Sequence, residues 1–171
     1  SLLNAILALV NPGDEVLIPA PFWVSYPSMI HYAGGIPVSI PTSVEEDFKV
    51  SAEKLEAAIT PKTKLLLFSS PCNPSGSVMS KAELKAWRDV LVKYPHIFIL
   101  SDEIYEKINY AGNHCSLAEY AELQDRIAVI NGLSKGYAMT GWRMGYLAGP
   151  TPLVAACDKI QGLMTSGASS V

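Results

Sequence analysis

Short apolar runs alternate with amphipathic segments along most of the chain, and this alternation limits the folds that it can adopt. Strands are predicted for five apolar runs, at residues 15–19, 36–40, 65–68, 97–100 and 127–130, with one more at residues 144–147. Helical spacing of apolar side chains predicts helices between them, at residues 25–32, 51–59 and from 80 onward. Because strands alternate with helices, we predict an α/β fold, a three-layer α/β/α sandwich with a mainly parallel sheet.

Turn and cap signals set the ends of these helices. The opening ten residues have the composition of a helix, and the sequence Asn11-Pro12-Gly13-Asp14 ends it. Ser80 with Glu83 three residues later is a capping-box pattern, which predicts the start of a long amphipathic helix. A short helix is predicted from Ser116, and Thr151-Pro152 begins the last one.

Composition excludes several classes of protein. A net charge of −3 gives no basic field for nucleic acid, and no apolar run approaches the ~20 residues of a membrane span. The three cysteines are odd in number and lack the paired spacing of a zinc site or a disulfide scaffold, so we expect no metal and reduced thiols in the cytoplasm. Only 17% of the residues are charged, so part of the surface is expected to meet a partner or further chain.

Polar and aromatic side chains follow four of the predicted strands. They are Trp23 after the first strand, Asn73 after the third, Asp102 with Tyr105 after the fourth, and Ser134 with Lys135 after the fifth. Each alone has a structural explanation, as a core residue, a turn residue, a helix cap or a packing residue. Ligands of open parallel sheets bind outside the carboxyl ends of the strands, so together these residues predict a binding site.

Residues 132–145, GLSKGYAMTGWRMG, add a second cation to this edge of the sheet. Lys135 and Arg143 are either solvated surface charges or the two cations that hold one anionic ligand. A lysine amine condenses with an aldehyde, a carboxylate can keep a pyridine nitrogen protonated, and an arginine fork suits a phosphate. With Asp102 nearby, the set matches the reactive groups of pyridoxal phosphate.

Four motifs in this order resemble those of the fold type I, class I aminotransferases, and their wording is closest to the bacterial aspartate aminotransferases. They are NPGDEVLIPAPFWVSYP, SPCNPSG, SDEIYE and SKGYAMTGWRMGY, and the resemblance extends from residue 1 to about residue 170. Cys72 and Ser75 depart from the usual SPNNPTG pattern at positions without an assigned role. The resemblance also implies cis peptide bonds before Pro21 and Pro74, which would aim Trp23 and Asn73 inward.

The resemblance assigns three catalytic residues. Lys135 is implied to be the Schiff-base lysine, which becomes the general base for the α-carbon proton once substrate has displaced it. Asp102 is implied to pair with the pyridine nitrogen, and Tyr105 to bind the phenolic oxygen of the cofactor. These residues predict an enzyme that moves an amino group from an amino acid, with aspartate favoured, to a 2-oxo acid.

Four further residues are implied to bind pyridoxal phosphate. Asn73 would bind the phenolic oxygen with Tyr105, and Trp23 would stack on the ring. Ser134 and Arg143 would hold the phosphate.

The resemblance also predicts the place of the chain in a larger protein. Residues 1–171 are expected to be most of the cofactor-binding large domain, without the phosphate loop before residue 1 and the small domain beyond residue 171. The full-length enzyme is expected to be a homodimer, and the segment alone to have little or no activity.

Other functions stay open at this stage. A carbon–sulfur lyase or decarboxylase of the same fold shares the motifs, and so does the non-catalytic, aminotransferase-like sensor domain of a transcription regulator. A nicotinamide-dependent dehydrogenase would share the α/β pattern, but no G-x-G-x-x-G follows any predicted strand.

Overall fold

A computed structural model describes residues 1–110 and 112–169, so positions 111, 170 and 171 of the predicted domain lie outside the described residues. One six-stranded sheet runs through the described part in the order β2-β1-β3-β4-β5-β6. The strands are β1 (Glu15–Pro19), β2 (Ile36–Ile40), β3 (Thr63–Ser69), β4 (Phe98–Asp102), β5 (Ile127–Gly132) and β6 (Gly145–Ala148). All neighbours are parallel except β5 and β6, which are antiparallel, and the prediction of a mainly parallel sheet is therefore confirmed.

Five α-helices connect or follow the strands in the described residues: α1 (Leu2–Leu9), α2 (Ser25–Tyr32), α3 (Ala52–Ala58), α4 (Lys81–Leu91) and α5 (Thr151–Met164). The capping box at Ser80 and Glu83 is present at the start of α4, as predicted. The helix expected from Ser116 is instead a pair of 3₁₀ helices, Leu117–Glu119 and Ala121–Arg126, because the extended backbone of Tyr120 interrupts it. No helix of the described residues is long and apolar enough to cross a bilayer.

Two hydrophobic cores lie on opposite faces of the sheet. Ile6 of α1, Tyr26 of α2 and Leu153 of α5 belong to one core, while residues from α3, α4 and the 3₁₀ helices belong to the other. Strand β3 contributes to both, since Leu65 and Leu67 join the first core while Leu66 and Phe68 join the second. A strand that is covered on both faces needs a continuous apolar sequence, as β3 has. The two cores on opposite faces of the sheet confirm the three-layer sandwich.

The order in which strands are added to the sheet reverses at β1. The chain passes from β1 to β2 on one side and then to β3 on the other side of β1. Connections that leave a sheet on opposite sides separate at this point and open a crevice beyond the carboxyl ends of the strands. Trp23 and Asn73 follow the two strands that meet at this switch point.

Candidate active site

A cleft of about 600 Å³ lies at the carboxyl ends of β1, β3, β4 and β5, within the size range of small-molecule sites. All seven residues predicted from the sequence line it, namely Trp23, Asn73, Asp102, Tyr105, Ser134, Lys135 and Arg143. The peptide bonds before Pro21 and Pro74 are cis, as expected, and the bond before Pro71 is also cis. Four separate strand ends therefore bring their polar residues into one site.

Asp102 is the buried charged group of the cleft. It ends β4, where its side chain is only 7% exposed. The hydroxyl of Tyr26 donates a hydrogen bond to Oδ2 at 2.6 Å, and the backbone N–H of Ile104 donates to Oδ1 at 3.3 Å. Burial raises the pKa of Asp102, and these two hydrogen bonds act against that increase by stabilising the carboxylate.

Tyr105, Asn73 and Lys135 come together on the other side of the cleft. The amide Nδ2 of Asn73 lies 3.5 Å from the Tyr105 hydroxyl, at the limit of a hydrogen bond. The Lys135 amine lies 5.9 Å from the centre of the Tyr105 ring. An amine, an amide and a phenol from three different loops are thus within reach of one small ligand.

Two glycines hold the Lys135 loop close to its neighbours. At Gly132 an added Cβ would lie 2.7 Å from the carbonyl oxygen of Met144, so only glycine allows β5 and β6 to approach this closely. At Gly136 an added Cβ would lie 2.8 Å from Cβ of Lys107. The loop is therefore packed between β6 and the segment that follows Tyr105.

Arg143, the second cation of the site, lies in the turn before β6. The Thr140 hydroxyl donates to the carbonyl of Ser134 at 3.0 Å, and Arg143 Nη1 donates to the carbonyl of Thr140 at 3.1 Å. Arg143 has a left-handed backbone with φ of 56°. This short chain of hydrogen bonds places Ser134 and Arg143 at one end of the cleft, where a guanidinium and a hydroxyl suit an anion.

Tyr26 is a residue of the site that sequence reasoning missed. Its position on the apolar face of α2 suggested a core residue, and its ring is indeed buried, with the Trp23 ring packed edge-on at 5.7 Å. Its hydroxyl, however, contacts Asp102, which lies 76 positions further along the chain. No sequence signal identified this contact: Tyr26 follows Trp23 by three positions, but Trp23 lies before the start of α2.

Replacing Tyr26 with phenylalanine is expected to destabilise the protein by about 1.5–3 kcal/mol at pH 8, because it removes a buried hydrogen bond to a charged group. The pKa of Asp102 is already raised by burial, so its contribution to stability is present at low pH and is lost as pH rises through that pKa. Without the Tyr26 hydroxyl the pKa rises further, so the destabilisation should be smaller at pH 4 than at pH 8.

Urea unfolding at the two pH values measures this difference. Tyr32→Phe is the matched control, since Tyr32 lies on the same helix with its side chain 72% exposed, and it should have little effect at either pH. Equal destabilisation by Tyr26→Phe at both pH values would contradict the role of the hydroxyl in stabilising the Asp102 carboxylate.

Comparison with known proteins agrees with this geometry. Fold and site define a ligand-binding α/β/α domain equipped with an amine, a buried carboxylate and a phenol. The family model described as aminotransferase class I and II matches residues 1–171, and the chain therefore belongs to that family.

Individual relatives are similar over the whole chain. A bifunctional aspartate aminotransferase and glutamate/aspartate-prephenate aminotransferase from Petunia hybrida is 49% identical over 100% of this chain and 36% of its own length. An aspartate/prephenate aminotransferase from Nitrosomonas europaea is 49% identical over 100% of this chain and 44% of its own length. The crystal structure of the aspartate aminotransferase from Rhizobium meliloti superposes with a TM-score of 0.96 at 44% identity, over 99% of this chain and 43% of that one. The chain thus spans less than half the length of these relatives.

Proposed function

We propose that this chain is most of the large, cofactor-binding domain of a pyridoxal-phosphate-dependent aminotransferase. The observation that carries the proposal is the Lys135 amine in the same cleft as the buried carboxylate of Asp102 and the hydroxyl of Tyr105. The family match and the names of the similar proteins support the reaction class.

The residues of the cleft fit pyridoxal phosphate. When bound, this cofactor supplies an aldehyde that condenses with amines and a ring that accepts electrons from the substrate α-carbon. Lys135 is the amine that would bind it covalently, and Trp23 is the aromatic ring that would stack on it. Ser134 and Arg143 would hold its phosphate.

Three side chains control protons in the proposed reaction. Lys135 is the general base that removes the proton from the α-carbon of the amino-acid substrate. Asp102, whose carboxylate accepts hydrogen bonds from Tyr26 and Ile104, would hold a proton on the pyridine nitrogen. Tyr105 and Asn73 would donate hydrogen bonds to the phenolic oxygen and stabilise its ionised form.

Aspartate is the proposed amino donor and a 2-oxo acid the acceptor. The names of the Petunia and Nitrosomonas proteins include aspartate and prephenate, and they support this choice. We also propose that the full-length enzyme is a homodimer of the cytoplasm, where the three free cysteines would stay reduced.

Product analysis separates this proposal from its alternatives. With aspartate and a 2-oxo acid, the full-length enzyme is expected to form one new amino acid for each oxaloacetate, while the 171-residue chain alone should have little or no activity. With aspartate, release of carbon dioxide without a new amino acid would instead indicate the decarboxylase. With a thioether amino acid such as cystathionine in place of aspartate, release of a thiol would indicate the carbon–sulfur lyase. Cofactor binding without any turnover would support the sensor domain.

A further inference from the structure

Glu103 is a buried carboxylate next to Asp102 that does not line the cleft. Its side chain is 5% exposed and points away from the site. The hydroxyls of Ser101 and Ser116 both donate to Oε1, at 2.8 and 2.6 Å. Nε2 of His114 lies 2.6 Å from Oε2. A carboxylate is rarely buried unless its oxygens are paired, and these three contacts provide that pairing.

The contacts of Glu103 join two parts of the chain. Ser101 belongs to β4, whereas His114 and Ser116 belong to the segment that returns from the loop after Tyr105. The carboxylate thus ties this returning segment to the end of β4. Hydrogen bonds to a charged group are stronger than those between neutral groups, so these few contacts hold the returning segment firmly against β4.

The backbone of Glu103 is fixed as well. Its N–H donates to the carbonyl of Ile130 in β5 at 2.9 Å, and its carbonyl accepts from the N–H of Glu106 at 2.9 Å. Asp102 and Tyr105 lie on either side of this fixed residue in the sequence. Rotation of the backbone at position 103 would therefore displace both groups in the cleft.

We propose that Glu103, with His114, Ser101 and Ser116, is a positioning residue that holds Asp102 and Tyr105 in the geometry required for cofactor binding. This inference rests on the proposed function, and it adds to that function a residue that contacts neither cofactor nor substrate. These four side chains form the Glu103 brace.

A proton on His114 would strengthen the brace. Its hydrogen bond with Glu103 raises the pKa of His114, and the negative charges of Glu103, Glu106 and Glu119 raise it further, while partial burial acts in the opposite direction. Lys107 lies 3.2 Å from Glu106 and partly offsets that carboxylate. Ligand atoms of Glu103, Glu106 and His114 lie within 4.8 Å of one another, but Glu103 is already satisfied by its hydrogen bonds without a cation.

The first test uses the protein without cofactor. Glu103→Gln keeps the size of the side chain and removes its charge, so we expect the pKa of His114 to fall towards that of a free histidine. The N–H of Ile104 donates to Asp102 Oδ1, and that of Ile108 donates to the Tyr105 carbonyl. Amide hydrogen exchange at Ile104 and Ile108 should become about tenfold faster, because a hydrogen-bonded charge has been lost. Glu106→Gln is the matched control, since this nearby carboxylate pairs with Lys107, and exchange at both amides should stay unchanged. Unchanged exchange in Glu103→Gln would overturn the inference whether or not the chain binds cofactor.

The second test measures affinity for pyridoxal phosphate in the full-length enzyme. Glu103→Gln and His114→Ala are each expected to weaken binding about tenfold, and the double variant no more than either one, because both remove the same interaction. If Glu103→Gln fails to fold, Ser116→Ala removes one donor only and should weaken binding in the same direction.

The outcomes of the second test separate the two proposals. Wild-type protein that does not bind pyridoxal phosphate would contradict the proposed function. The positioning role of the brace would then be judged from the amide exchange of Glu103→Gln alone. Wild-type protein that binds, with variants that bind equally well, would overturn the brace alone. A lower melting temperature with unchanged affinity of the folded variants would likewise assign Glu103 to stability and not to positioning.

Discussion

Replacing Lys135 with alanine is expected to reduce the transamination rate of the full-length enzyme by at least about 10⁴-fold, because the variant loses both the covalent amine and the general base. Among the described residues, no other lysine lines the cleft. Among the lysines of the described residues, Lys135 lines the cleft, whereas Lys107 packs beside the loop at Gly136 and pairs with Glu106. The visible absorbance band of protein-bound cofactor should also be lost.

Lys107→Ala is the control for this experiment. It removes a neighbouring positive charge without removing an amine from the cleft, so both the rate and the absorbance band should be retained. A persistent absorbance band in Lys135→Ala would show that another amine binds the cofactor and would refute the assignment of Lys135.

Replacing Asp102 with asparagine is expected to lower the transamination rate by about 10³-fold or more, since an amide cannot pair with a protonated pyridine nitrogen as a carboxylate does. The loss should appear in kcat with aspartate as donor. A rate near that of the wild type would contradict the role of Asp102.

Stability of the same variant shows whether the effect on rate comes from misfolding. Burial raises the pKa of Asp102, so the ionised carboxylate costs stability above that pKa, and asparagine does not bear this cost. We expect Asp102→Asn to be as stable as the wild type at pH 8 or more stable by about 1 kcal/mol. A buried ionisable group that lowers stability in this way is typical of an active site.

The strands and the placement of the cleft were predictable because they depend on local patterns. A parallel strand covered on both faces needs a continuous apolar run, and residues 65–68 have one, although β3 extends beyond it to Thr63 and Ser69. The same patterns placed the strand ends, and parallel strands bring their ends to one edge. Asp102 and Lys135 therefore line one cleft, although they are distant in sequence.

The contributions of Tyr26 and Glu103 were not predictable, because they depend on contacts formed by tertiary packing and not on local sequence patterns. Tyr26 acts through a hydrogen bond across 76 positions, and its sequence pattern is that of an ordinary core residue. Glu103 is one of several acidic residues in the chain, and only its burial against His114 and Ser116 distinguishes it. Partners brought together by packing between layers leave no periodicity in the sequence.

The Schiff-base role of Lys135 is tested most directly by reducing the full-length enzyme with borohydride in the presence of pyridoxal phosphate and locating the modified residue by peptide mass spectrometry. Borohydride converts the reversible bond between a lysine amine and the cofactor aldehyde into a stable one. We expect a single phosphopyridoxyl group on Lys135, with none on Lys107. Modification of other lysines while Lys135 stays unmodified would contradict it.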